Sequence, residues 1–133
     1  MPLNDIESRA DIELLLDRFY TKVRVHETLG PFFNETIDDW GIHLAKIADF
    51  WESNLFFIAK FKGNPMRTHI EVDQAFNHSI EQAHFGLWLQ LWTETMDENF
   101  EGEKAHLAKE RARNMAQMMF LRIYQARKQK GII

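Results

Sequence analysis

The sequence predicts an all-α fold, with one domain over residues 1–133. Three observations lead there. Apolar residues recur at helical spacing in one stretch after another. No stretch alternates apolar and polar residues over a useful strand length. The three Pro and six Gly act as punctuation, with no internal repeat and no low-complexity linker. A chain of 133 residues is long enough to bury one sizeable core.

Ser8-Arg9-Ala10-Asp11 resembles a capping box opening the first helix. Ile12, Leu15, Leu16, Phe19 and Val23 follow at helical spacing. Tyr20 lies four residues after Leu16 on the same face, so its phenol is expected to point inward. Leu29-Gly30-Pro31 ends this unit, and Phe32-Phe33 is expected in a turn. The second helix is expected from about Asp38 to Lys62. His43, Ile47, Phe50, Asn54, Phe57 and Phe61 share one stripe, and Leu44, Ala48, Trp51, Leu55 and Ile58 form the next. Together they make about half the helix surface apolar, so this helix must pack on two things at once.

Lys62-Gly63-Asn64-Pro65 breaks that helix, and a short helical turn, Met66 to Ile70, carries His69. Glu71 to His78 lacks periodicity and is expected as loop. Ser79-Ile80-Glu81-Gln82 reads as a second capping box, ahead of Leu87, Trp88, Leu91, Trp92 and Met96. A last helix is expected from about Glu103 to Lys128, with Ala108, Ala112, Met115, Met119 and Ile123 on its apolar face.

The formal net charge of -4 argues against a nucleic-acid or membrane-surface role, since both call for a basic face. Basic residues thicken from Arg111 to Lys130, which reads as a solvated helix whose cations complement its dipole. Without Cys there is no disulfide, thiolate catalysis, Cys-ligated zinc or iron–sulfur cluster. Met1 to Glu7 shows no basic region followed by an apolar run, and no apolar stretch reaches membrane-spanning length. The expected location is cytoplasmic.

Six histidines invite a metal reading, yet no two stand four apart, so H-E-x-x-H is absent. Ser8, Ser53 and Ser79 lack a G-x-S-x-G context, and no Gly-rich run precedes a helix to cradle phosphate. Eleven Phe and four Trp can fill a core or line a flat cofactor. A haem would need only one neutral imidazole, apolar walls and a distal pocket. It would be held without covalent attachment, since C-x-x-C-H is missing. His69 suits the imidazole role, although its local sequence by itself favours a partly exposed loop histidine. Tyr20, His43 and Trp88 can each donate a hydrogen bond in such a pocket. Taken singly, Tyr20 and Trp88 read first as core packing and His43 as an exposed helix residue.

Four blocks in order resemble a group III truncated haemoglobin from Asp17 to about Arg122. They are Arg18-Phe19-Tyr20-x-Lys22-Val23-Arg24 with Leu29-Gly30-Pro31-Phe32-Phe33-Asn34, then Trp40-x-x-His43-Leu44-x-Lys46-Ile47-x-x-Phe50-Trp51. Phe61-Lys62-Gly63-Asn64-Pro65-Met66-x-x-His69 and His84-Phe85-x-x-Trp88-Leu89-x-Leu91-Trp92 follow. The resemblance implies a truncated globin, a two-over-two helical sandwich around haem b. His69 matches the proximal histidine. Tyr20, His43 and Trp88 match the distal polar positions, and Ile47 the apolar position beside the iron. Phe33 matches a phenylalanine that packs on the haem, and Phe50, Trp51 and Met66 would line it. The absence of Gly-Gly motifs at helix junctions fits group III. The chain departs from the pattern at Leu87, where members often carry Arg, and between His69 and His84, which is slightly long and lacks the usual proline. Lys46 is set among the cofactor-binding residues, and Lys62 and Arg67 are assigned to the propionates on charge and position.

The function implied is capture of dioxygen or another small haem ligand, such as nitric oxide or a cyanide-like anion. Two alternatives stand beside it. One is haem-dependent nitric oxide detoxification or peroxide reduction, with electrons from an unidentified reductase. The other is a cofactor-free helical interaction domain.

Overall fold

The computed structural model describes residues 2–61 and 63–131. Six helices follow one another: α1 (Arg9–Val25), α2 (Gly30–Asn34), α3 (Trp40–Phe56), α4 (Pro65–Ala75), α5 (Gln82–Asn99) and α6 (Glu103–Gln129). No strand occurs among the described residues. α1 packs on α3 and α5 packs on α6, and the first pair lies over the second through α1–α5 and α3–α6 contacts. This is the expected two-over-two sandwich. α4 rests on α6.

The pairs meet around Trp92, which is 1% exposed. Its indole stacks on Trp51 at 4.8 Å and on Trp88 at 5.8 Å, and the edge-on Phe19 ring closes at 4.9 Å. Each such pair contributes about 0.5–1.5 kcal/mol beyond simple burial. Room for so large a group comes from α6, where Ala105, Ala108, Ala112 and Ala116 are all buried. Their small side chains let α5 approach until the Trp92 Nε1–H donates to the Ala108 carbonyl at 3.3 Å.

The helix ends show where local signals held and where tertiary contacts displaced them. Ser8 is the N-cap of α1, yet its hydroxyl makes no capping bond. The Asp11 carboxylate instead accepts from the Glu7 amide at 2.8 Å. Phe32 and Phe33 belong to α2 rather than to a turn, because Pro31 presets the helical φ in its first turn. α3 begins after Asp39, whose side chain accepts from the Ile42 amide at 3.0 Å. It stops at Phe56, short of Lys62, because Phe57 turns left-handed at φ 58°. α4 runs on to Ala75, so most of the stretch expected as loop is helix. Buried Asp73 breaks the apolar pattern there, which hid the helix. α5 is capped at Glu81, two residues beyond Ser79, with the His84 Nδ1 accepting from the Glu81 amide at 2.7 Å.

Asp5 reaches across the fold to cap α6. Its carboxylate accepts from the amides of Lys104 and Ala105, both at 2.9 Å. Burial pushes its pKa up, but the Lys104, Ala105 and Ile6 amides outweigh that and hold it below the ordinary carboxylate value. Gly102 makes room for the contact: at φ 147° a Cβ would lie 2.5 Å from the Asp5 Cγ. Asp5→Ala is expected to lower stability by about 1–2 kcal/mol, as loss of a helix cap does. Urea denaturation checks it, and an unchanged midpoint would contradict the cap.

Candidate functional site

His69 enters α4 one turn after Pro65, and the helix is started by the Asn64 side chain accepting from the Arg67 amide at 3.1 Å. The His69 Nδ1 lies 2.6 Å from the Pro65 carbonyl. A carbonyl can only accept, so Nδ1 carries the proton and Nε2 keeps its lone pair. Nε2 has no hydrogen-bond partner among the described residues. Burial lowers the His69 pKa, against the upward pull of the Pro65 carbonyl, and so favours the neutral ring.

On α3 stands His43, half-buried rather than exposed. Its ring stands edge-on to Tyr20 at 6.0 Å and to Trp40 at 5.7 Å. Its Nε2 is buried without a partner. Burial is the main cause of its lowered pKa, with Lys46 and His69 adding electrostatic repulsion. The last cause places the two imidazoles within electrostatic reach of each other. Yet α3 and α4 share no broad packing among the described residues. The gap between these helices is therefore bordered by two neutral imidazoles, each with a nitrogen left over.

Tyr20 is buried where α1 approaches this gap. Burial pushes its phenol pKa well up, against a smaller downward pull from the Trp88 indole beside it, so the hydroxyl stays protonated. An indole N–H can only donate. Trp88 can therefore act beside Tyr20 only as a donor, and no acceptor takes the Tyr20 hydrogen among the described residues. Phe33 packs against the Tyr20 ring at 5.8 Å. Ile47 is half-buried one turn after His43, on the same side of α3. Phe50 is half-buried and meets Phe61 at 5.2 Å.

The segment that leads from α3 toward His69 is tied down. The Ser53 oxygen accepts from the amides of Lys60 and Phe61, both at 3.1 Å. Lys60 also pairs with buried Glu52 at 2.5 Å. Gly63 is required beside Phe61, since a Cβ there would lie 2.5 Å from the ring.

The remaining residues named from sequence divide. Met66 is half-buried, three residues before His69. Lys46 is exposed but close enough to act on His43, and it has no carboxylate partner among the described residues. Trp51 is buried in the core stack. Arg67 pairs with Glu71 at 3.0 Å. Two residues from His69, it projects about 200° around the helix from that ring, so the two do not converge. Lys62 lies outside the described residues.

Three aromatic residues of the site were not singled out from sequence. Trp40 is in ring contact with both His43 and Tyr20. Phe85 lies 6.3 Å from His69, and Phe120 backs Phe85 at 6.2 Å. The His84-Phe85 pair precedes Trp88 by one turn, and that helical spacing was the available signal for Phe85.

No family model matches the chain. Among curated proteins, the group 3 truncated hemoglobin ctb of Campylobacter jejuni is 30% identical over 113 residues, covering 82% of this chain and 85% of that protein. The chain belongs to the group III truncated haemoglobins. The crystal structure of a group III truncated hemoglobin from Campylobacter jejuni agrees, with a TM-score of 0.81 at 29% identity over 95% of this chain and 98% of that one. Among the described residues of this truncated haemoglobin no cluster of three His, Cys, Asp or Glu could hold a bare metal ion. Among the described residues no helix is long and apolar enough to cross a membrane.

The two lowered histidine pKa values give the haem-free protein a pH dependence. Below the free value of about 6.5 the unfolded chain takes up protons that the half-buried His69 and His43 resist. Their contribution is complete above that value and is lost as the pH falls. The denaturation midpoint should therefore drop between about pH 7.5 and pH 5.5, and His69→Leu should flatten the slope. An equal slope in both proteins would show that His69 titrates freely.

Proposed function

We propose that the chain binds haem b between α3 and α4, with His69 as the iron ligand, and captures dioxygen or another small diatomic or anionic ligand. The observation that carries this reading is the His69–Pro65 contact at 2.6 Å, which leaves a neutral Nε2 lone pair on the α4 side of the gap. A hydrogen bond from the other ring nitrogen fixes the tautomer and raises ligand basicity. The unpartnered Nε2 of His43 supports a polar guest on the opposite side. The residues present therefore fit the group.

When bound, haem would supply an iron able to take up a small ligand. The chain supplies the surroundings. Tyr20 would donate its hydroxyl hydrogen to the captured ligand, with the Trp88 indole as a second donor beside it. His43 lends a neutral imidazole, and Ile47 fills space without competing for hydrogen bonds. Phe33, Phe50 and Met66 offer apolar walls that exclude water, and Lys46 is the cation placed for a propionate. Packing and His69 would hold the group without covalent attachment, since no Cys is present. The same donors could polarise a peroxide O–O bond, so turnover of peroxide or nitric oxide with an added reductant separates an enzyme from a carrier. A cytoplasmic location fits the reading.

Purified protein given haem should show a strong Soret band that His69→Ala weakens or removes. Tyr20→Phe should leave that band in place and speed dioxygen dissociation. A hydrogen bond to a charged acceptor is worth about 1.5–3 kcal/mol, so the expected factor is about ten to a hundred. Stopped-flow mixing measures it. Unchanged dissociation would remove Tyr20 from the ligand's surroundings.

A further inference from the structure

α4 carries His69 yet leans chiefly on α6. One group of contacts fastens it there. Asp73 is 2% exposed and lies one turn beyond His69. Its two oxygens meet the Arg127 guanidinium in a forked pair, Nε to Oδ2 at 2.9 Å and Nη2 to Oδ1 at 2.6 Å. The same Nη2 donates to the Ile80 carbonyl, and the Ile80 amide donates to the Asp73 Oδ1 at 3.1 Å. His78 stands 3.4 Å from the other carboxylate oxygen. Burial pushes the Asp73 pKa up, but Arg127 and the Ile80 amide overcome that and hold it below the ordinary carboxylate value. Arg127 was expected on a solvated helix end; it is instead turned inward and nearly covered.

A forked pair fixes orientation as well as distance, because two parallel N–H···O bonds restrict rotation about the contact. Residues four apart share a helix face. Fixing Asp73 therefore fixes the rotation of α4 about its own axis, and with it the direction of the His69 ring. The Ile80 contacts extend the restraint past Asn77 and His78, both left-handed at φ 58° and 59°, to the start of α5. α5 brings Phe85 against His69.

We infer that Asp73 and Arg127 are positioning residues that set the aim of His69, so that a side chain near the C-terminus governs ligand affinity at the site. The inference rests on His69 being the iron ligand. Breaking a contact behind a metal ligand changes affinity or activity by about ten-fold or more, and that is the size of change expected here.

The test compares the haem-loaded parent with Arg127→Lys and Arg127→Met. Lysine keeps the charge but cannot make the fork, and it guards against a methionine variant that fails to fold. Three quantities are read: the Soret band, the iron–imidazole stretching band by resonance Raman in the reduced unligated protein, and carbon monoxide and dioxygen dissociation rates. The expected result is a retained Soret band with a shifted or broadened iron–imidazole band in both variants. Dissociation should change by about ten-fold in Arg127→Met and less in Arg127→Lys. A lowered melting temperature with an unchanged stretching band and unchanged rates would overturn the inference and leave the pair a structural clamp. A parent whose iron–imidazole band is absent would overturn the His69 reading, and this inference with it.

Discussion

The stack of Trp51, Trp92 and Trp88 is the constraint on which the remaining structure depends. The Trp51 and Trp92 rings fix the separation of α3 from α5, because a stacked indole pair tolerates little compression and leaves a void if pulled apart, and Trp88 extends the stack by one turn along α5. Phe19 adds α1 to the same contact. Large rings in the middle of a thin sandwich demand small residues opposite, and the buried alanines of α6 meet that demand. The outer ring of the stack, Trp88, is half-buried and turns its N–H toward Tyr20. The core and one wall of the site are thus one continuous piece.

That continuity explains why the site can hold polar groups. Burying a phenol or an imidazole without partners is costly. Tyr20 has the Trp88 indole beside it, whereas the His43 Nε2 is buried and unmatched. An unmatched buried nitrogen persists only where the surrounding packing over-determines it. Here the edge-on rings of Tyr20 and Trp40 hold the imidazole in place, and Arg24 in turn covers Trp40 at 4.4 Å. The polarity of this wall is consistent with a guest that accepts hydrogen bonds.

Much of this was legible in the sequence, for physical reasons. The helical class followed from periodicity, and α1 and α6 stood out because their buried residues repeat cleanly along one face. The inward turn of Tyr20 followed from its spacing to Leu16. Three things were hidden. Helix α4 was truncated in the reading because Asp73, an acid on a buried face, imitates a loop residue until its partner is known, and that partner lies 54 residues away. Arg127 was read as solvated for the same reason: charge composition does not show pairing. The end of α3 was extended because Phe57 and Phe61 continue the apolar stripe, although Phe57 is 77% exposed and breaks the helix. For the site, sequence spacing put His43 and Ile47 on one face, but only the fold brings His43 within electrostatic reach of His69 and turns Arg67 aside.

The two walls of the gap are built differently. The α3 wall belongs to the stacked core, so moving it disturbs several rings at once. The α4 wall is a helix of 11 residues fastened mainly to one neighbour. Its hold on α6 comes from charge-assisted hydrogen bonds, which are short and directional, and an apolar contact would leave rotation softer. Under the haem reading proposed above, this division would keep an imidazole aimed while a flat cofactor is admitted. The stacked wall holds several rings at once, and the forked Asp73–Arg127 pair restrains the rotation of α4 and of the imidazole it carries.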